Sequence, residues 1–338
     1  MKRTWVLFSF AVALLVVTAL VSVGIGAVRI GPGRLCELLF NSAQPGTHSA
    51  EATIFWQLRL PRVLLASLIG AGLGVAGAGY QGLFRNPLVD PFVIGASSGA
   101  AVGATLAIVA GWQGSFLGIP LPSVLALLGA VTSVAIVYII AAMGSQVPTV
   151  SLLLTGVAVS SFLGSLVSLL MFLHDEQLMT IFGWLMGSFS GRGWHNLTAA
   201  GPLIACGGLA LWFLSRPLDA LTFGDETAAT LGLSLFHLRG LVIFAASAAT
   251  AASVSTAGII GFVGLVAPHL ARSLVGPRHA LLFPMSALSG AILLLVADGV
   301  ARTIVAPAEI PVGIVTALLG SPFFLAALKA RLAIGRDE

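Results

Sequence analysis

Side chains capable of chemistry are scarce in this chain, and they gather in three places. One set is Arg59-Leu60-Pro61-Arg62 together with Asp298, Arg302 and Glu309. A guanidinium offers a planar fork of donors that suits carboxylates, so this set could receive acidic side chains of another protein. The plainer alternative is snorkelling of the arginines to lipid headgroups. Asp298 and Arg302 are one helical turn apart, which permits a local ion pair. A second set is the two proline-bearing turns, Arg85–Pro91 (with Asn86, Pro87 and Leu88) and Gln146–Thr149 (with Pro148 and Thr149), which cannot continue a helix. Each is expected as a tight turn between two spans. The third set is Arg216–Gly240, which holds Asp219, Asp225, Glu226, His237 and two arginines.

That third stretch reads as two short helices. Asp225 is expected as an N-cap, Glu226 lies beside the positive end of the helix dipole, and Ser234 can cap the helix that follows. Gly232, after Leu231, is expected as the C′ stop. Gly224 supplies the break before it. A compact polar feature of this kind is something for another protein to grip.

Several chemistries are excluded. There is no G-x-x-x-x-G-K-[ST], and the lysines are Lys2 and Lys329 alone, so the chain has no P-loop for ATP. There is no HExxH, no CxxC and no paired-carboxylate cluster, and the histidines at 48, 174, 195, 237, 269 and 279 are scattered. No metal site or cofactor is expected, and nothing marks an enzyme. Cys36 and Cys206 fall in different environments, which argues against a structural disulfide.

The elements that must position these residues are transmembrane helices. Of 338 residues, 58% are hydrophobic and 8% charged, with a mean hydropathy of +1.05. Soluble domains carry about 25% charged residues. The fold class is therefore all-α, a polytopic integral membrane protein forming one domain over 1–338, with 216–240 a segment within it. A crossing needs about 20 apolar residues. Ten stretches qualify: 5–28, 62–83, 92–110, 122–143, 150–173, 197–214, 240–256, 258–271, 281–301 and 311–328. The apolar run from Trp5 is too long for a signal h-region and is read as a retained first span. Gly258, Gly261, Gly264 and Pro268 interrupt the eighth, which suits a half-span or re-entrant piece. With a cytoplasmic N-terminus, ten of the Lys and Arg residues fall inside and six outside, which supports that orientation and places both chain ends and Arg216–Gly240 in the cytoplasm. Five spans on either side of that stretch would set two halves in opposite orientations, the arrangement of an inverted repeat. GAGLGVAGAG at 70–79 reads as a close helix-packing face.

Ion-coupled carriers need buried carboxylates near the midplane. Asp298 is the sole candidate, so a secondary transporter is the weaker alternative. A non-transporting scaffold leaves the glycine-rich core and both proline turns without a purpose. Without a coupling ion, the energy has to come from a separate ATPase.

Five motifs then occur in order: RLPR at 59–62, GAGYQGLFRNPLVDPFVIGASSGA at 77–100, GFVGLVAPHLAR at 261–272, ADGVAR at 297–302 and AEIPVGIVTALLGSPF at 308–323. Together they resemble the permease subunits of ABC importers for iron–siderophore complexes, haem and cobalamin. The resemblance runs from about Trp56 to Ala330. It implies ten spans per subunit and a homodimer in the bacterial inner membrane, with a path lined by spans five and ten. It also implies two ATPase subunits below, which would bind ATP and Mg, and an extracytoplasmic binding protein above. By matching position it assigns docking to Arg59, Arg62 and Arg302 beside Glu309, and cytoplasmic gating to Asn86, Pro87, Leu88, Pro148 and Thr149. Coupling falls to Gly224, Asp225, Glu226, Leu231 and Gly232. Pro148 departs from the family, which has a small hydroxyl residue there.

Overall fold

A computed structural model describes residues 2–26, 30–40, 50–112, 114–116, 118–143 and 149–334. Its helices are α1 (Lys2–Gly24), α2 (Pro32–Phe40), α3 (Ala50–Leu83), α4 (Ala96–Val109), α5 (Leu121–Ala141), α6 (Thr149–Leu173) and α7 (Leu178–Leu185). They continue as α8 (Trp194–Phe213), α9 (Ser215–Leu221), α10 (Asp225–Thr230), α11 (Leu235–Ala257), α12 (Val263–Val275), α13 (His279–Thr303) and α14 (Val312–Ile334). A two-residue hairpin, β1 (Ser115–Phe116) against β2 (Ile119–Pro120), joins α4 to α5. Among the described residues seven helices are long and apolar enough to cross a membrane. Three shorter apolar helices, Ala96–Val109, Val263–Val275 and Val312–Ala326, occupy the remaining expected spans.

The differences from the expected spans have local causes. The second span begins at Ala50, not at 62, because a π-helical stretch over Ile54–Arg59 carries the helix into Leu60-Pro61. Pro61 then falls in the first turn of the following α-helical register, where its missing N–H costs nothing. The third span starts late, since Pro91–Ile94 is a 3₁₀ turn and Gly95 takes φ 86°. The interrupted eighth stretch resolves into α12, whose 13 residues reach only about 20 Å. The amphipathic α2 and the short α7 follow span ends and were not anticipated.

α3 is the axis of the structure. Its glycines allow direct backbone contact: a Cβ at Gly70 would collide with the carbonyl of Gly290, one at Gly74 with that of Ser286, and one at Gly77 with that of Gly264. The seam thus joins α3 to α13 and to the start of α12. Irregular backbone survives inside the fold because protein groups satisfy it. Ser133 in α5 donates to the Gly95 carbonyl at 2.9 Å, Ser188 N–H donates to Ala257 O at 2.7 Å, and Gly313 N–H to Met186 O at 3.1 Å.

Gly77→Ala is expected to destabilise the chain by about 1–3 kcal/mol, because the added methyl forces two backbones apart. Gly208→Ala, where a Cβ meets nothing within 4 Å, should leave stability unchanged or slightly raised. Thermal unfolding in detergent distinguishes the two. Equal melting of both variants would show the seam to be loose.

Candidate functional site

The chemistry-bearing residues collect at the two ends of α3. At its N-terminal end, the last carbonyls of α1 lack partners within their own helix. Arg59 supplies one set, donating to Val23 O at 2.8 Å and Gly24 O at 3.2 Å. Arg302 supplies the other, donating to Ser22 O and Ile25 O at 3.1 Å each and to Ser22 Oγ at 2.6 Å. Cations at a helix C-terminus also suit its dipole. Both guanidiniums are buried, at 7% and 5% exposure.

Asp298 anchors this cluster. It has no exposure and lies between Arg62, at 2.8 Å, and Arg302, at 3.0 Å. Arg62 also forks onto Glu309 at 2.9 and 3.0 Å. The expected Asp298–Arg302 pair is therefore present, inside a larger network that sequence spacing alone does not show, because Arg62–Asp298 spans 236 residues. A carboxylate fixed by two cations is not free to carry a coupling proton or sodium ion.

Arg59, Arg62, Arg302 and Glu309 line one recess of about 390 Å³. Arg192, on the loop before α8, lines it too. Its guanidinium donates no hydrogen bond to a described residue. Burial pushes it below the ordinary arginine range, since water is withdrawn and no carboxylate replaces it. No motif in the sequence singles it out. Gly191, at φ 69°, turns the backbone that presents it.

The opposite end of α3 is a second bridge. Phe84 is the C-cap, and Arg85 occupies C′ with φ 49°, where glycine is usual. The Asn86 N–H donates to Gln81 O at 3.1 Å and Arg85 N–H to Gly82 O at 3.3 Å, which closes the helix. Asn86 Oδ1 then accepts from Leu88 N–H at 3.0 Å, and Asp90 Oδ1 from Phe92 N–H at 2.9 Å. The Asn86-Pro87-Leu88 turn is thus tightly specified. Gln81 reaches across, accepting from Arg272 at 3.0 Å. Thr149 is the first residue of α6, and Pro148 lies outside the described residues.

The Arg216–Gly240 stretch holds α10 as expected and also α9, which continues almost directly from α8, while the helix that follows Ser234 is the 23-residue α11 and not a short one. One detail is corrected: Gly224, at φ 113°, is the N-cap and Asp225 is the first helical residue. The Asp225 carboxylate does not cap because two guanidiniums claim it, Arg85 on one oxygen and Arg239 on the other at 2.6 Å. Ser234 stands at the N-cap of α11, but its hydroxyl bonds His237 Nδ1 at 2.7 Å instead of a backbone N–H. Gly232, at φ 82°, is the C′ residue of a Schellman closure, with Gly232 N–H on Ala229 O at 2.9 Å and Leu233 N–H on Ala228 O at 3.2 Å. Glu226 and Leu231 face outward, as do Phe223 and Phe236. Asp219 of α9 accepts from both the backbone N–H (2.9 Å) and Nδ1 (2.6 Å) of His279, pinning the start of α13.

Comparison with known proteins places the chain in a family. Residues 14–330 match the FecCD transport family. The chain belongs to that family. It is 43% identical over 295 residues to the cobalamin import system permease protein BtuC of Halobacterium salinarum, covering 85% of this chain and 76% of that protein. It is 39% identical to the molybdate import system permease protein MolB of Haemophilus influenzae, covering 92% and 91%. Among solved structures, an inward-facing conformation of a metal-chelate type ABC transporter superposes with a TM-score of 0.84 at 36% identity, covering 96% of this chain and 99% of that one. This FecCD-family chain is a multi-pass, all-α membrane permease of an ABC importer, without an ATP site of its own.

Asp298→Ala is expected to cost about 3–5 kcal/mol, because it leaves two buried guanidiniums uncompensated. Glu309→Ala, removing a partly exposed partner, should cost less than about 1 kcal/mol. Chemical or thermal unfolding of the two purified variants gives the comparison.

Proposed function

We propose that this chain pairs with a second copy of itself to form the membrane path of a binding-protein-dependent importer. It would take an intact metal complex of the cobalamin, haem or iron–siderophore class inward across a bacterial inner membrane. ATP and Mg would be bound by two separate ATPase subunits seated at the Asp225 end, on the cytoplasmic side with both termini. An extracytoplasmic binding protein would dock at the Arg59 end. The cobalamin permease among the relatives favours the corrinoid as the first cargo to try, and the molybdate permease makes a metal oxyanion the second.

The observation that carries this is the Asp225 bridge. One carboxylate joins α10 to Arg85, beside the Asn86-Pro87-Leu88 turn, and to Arg239 at the base of α11. A force applied to α9 and α10 by an ATPase therefore reaches the gate turn through a charge-assisted contact, and reaches α13 through Asp219 and His279. Phe223, Leu231 and Phe236 give the segment an exposed apolar surface beyond the spans, of the kind a partner groove covers. α6 supports self-association: only 11% of its apolar window is buried within the chain, and Phe162 and Phe172 project from it. Spans five and ten, α6 and α14, would face the two-fold path.

At the docking end, Arg59 and Arg302 act chiefly as the floor of the recess, and Arg62 is shared with Asp298 and Glu309. Among the described residues lining the recess, Arg192 is the cation with capacity to spare for an incoming glutamate or aspartate.

In liposomes with its ATPase and binding protein, the dimer should import cobalamin or an iron chelate on ATP addition. Uptake driven by a proton or sodium gradient without the ATPase would overturn the proposal. Arg192→Glu should weaken binding-protein association by about 2 kcal/mol, roughly thirtyfold in Kd, with the larger effect at low salt. Gly232→Pro or Glu226→Arg should leave that association intact while transport is lost and ATP hydrolysis persists. Survival of transport in both would reduce Arg216–Gly240 to a connection.

A further inference from the structure

A groove of about 860 Å³ runs between α1, α8 and the start of α13, with α3 as its floor. Trp5, Phe8, Gly208, Trp212, Phe283 and Pro284 are among its lining residues, which are almost wholly apolar. Nothing in the Proposed function uses it. It starts at one membrane surface, where Thr4 opens α1, Trp212 closes α8 and Ala280 opens α13. From Trp212 back to Ile204 it follows nine residues of α8, about 12 Å of helix, against a leaflet depth of about 15 Å. Trp5, Leu209 and Trp212 are exposed along it, so it opens sideways to lipid. Trp212 Nε1 is committed to the Ala280 carbonyl at 3.2 Å, the usual interfacial posture of a tryptophan.

Four cations neighbour the mouth along the chain, and the nearby Asp219 carboxylate is held by His279. Lys2 and Arg3 precede Thr4, Arg278 precedes Ala280, and Arg216 follows Trp212 by one turn. All four side chains are exposed, and none has a carboxylate partner among the described residues. An apolar slot one leaflet deep, neighboured by cations that have no carboxylate partner among the described residues, fits one class of molecule. We propose that this groove is a binding site for an anionic phospholipid, its acyl chains along α8 and α13 and its phosphate among Arg3, Arg216 and Arg278. Arg216 lies on α9, so the bound lipid would brace the segment that the Asp225 bridge depends on. The site stands apart from the transport assignment and is tested without it.

The groove's own tryptophans report occupancy. The purified chain is placed in phosphatidylcholine vesicles containing increasing phosphatidylglycerol with brominated acyl chains. The quenching lost in Trp5→Phe/Trp212→Phe isolates the groove signal. Brominated phosphatidylglycerol should quench it at a low mole fraction and saturate, while brominated phosphatidylcholine at the same fraction quenches it weakly. Arg3→Gln, Arg216→Gln and Arg278→Gln should each raise the half-quenching fraction about fivefold at low salt. Gly208→Phe, placed where a Cβ meets nothing within 4 Å, should abolish the saturable phase without lowering the unfolding temperature. Equal quenching by both lipids would reduce the groove to ordinary annular contact. Absence of quenching by either would mean that protein or nothing fills it. Either result overturns the proposal, as does saturable quenching that survives both Gly208→Phe and the charge variants.

Discussion

The backbone seam along α3 is the constraint on which the remainder rests. In lipid, helices gain little from hiding apolar surface from one another, so close packing and polar contacts have to hold them. Gly70, Gly74 and Gly77 let α3 touch the backbones of α13 and the start of α12 directly. That contact fixes the register of α3 against both. Because the Arg59–Arg62 cluster and the Asn86-Pro87-Leu88 turn lie at opposite ends of the same helix, the register also fixes their separation. A slip of one turn would part Arg62 from Asp298 and Gln81 from Arg272.

Each end then solves the same electrostatic problem differently. At the Arg59 end, arginines are drawn inward to the carbonyls of Ser22, Val23, Gly24 and Ile25 and to Asp298, so that buried charge is matched by buried charge and dipole. The result is a recess in which, among the described residues, the Arg192 guanidinium has no carboxylate partner. At the Asp225 end the pairing is more exposed, with both Arg85 and Asp225 reached by solvent. Exposed pairs are weak and easily exchanged. One end of α3 is thus held by buried charge and the other by a pair that solvent can reach.

Much of this was legible in the residues. Hydropathy set the polytopic all-α class, and each of the ten apolar stretches holds a helix. The glycine spacing at 70–79 announced a close-packed face, and Gly232 announced its Schellman stop. The missing P-loop meant that energy enters through a partner. Local signals of this kind need only neighbouring residues and the solvent each span meets.

Long-range choices were not legible. The sequence offers Asp225 as a cap, and local rules favour that; the fold brings Arg85 and Arg239 to it, and two charge-assisted contacts outcompete one backbone N–H. Arg59 and Arg302 look like surface cations until the end of α1 is placed against them. Arg192 looks unremarkable until it is seen in their company without a carboxylate partner among the described residues, and the groove under Trp5 and Trp212 has no sequence signature. Composition and spacing determined the medium, the helices and their stops. Only tertiary structure decided which charges are spent inside the protein and which remain for others, because a charge's partner is set by distance through the fold and not along the chain.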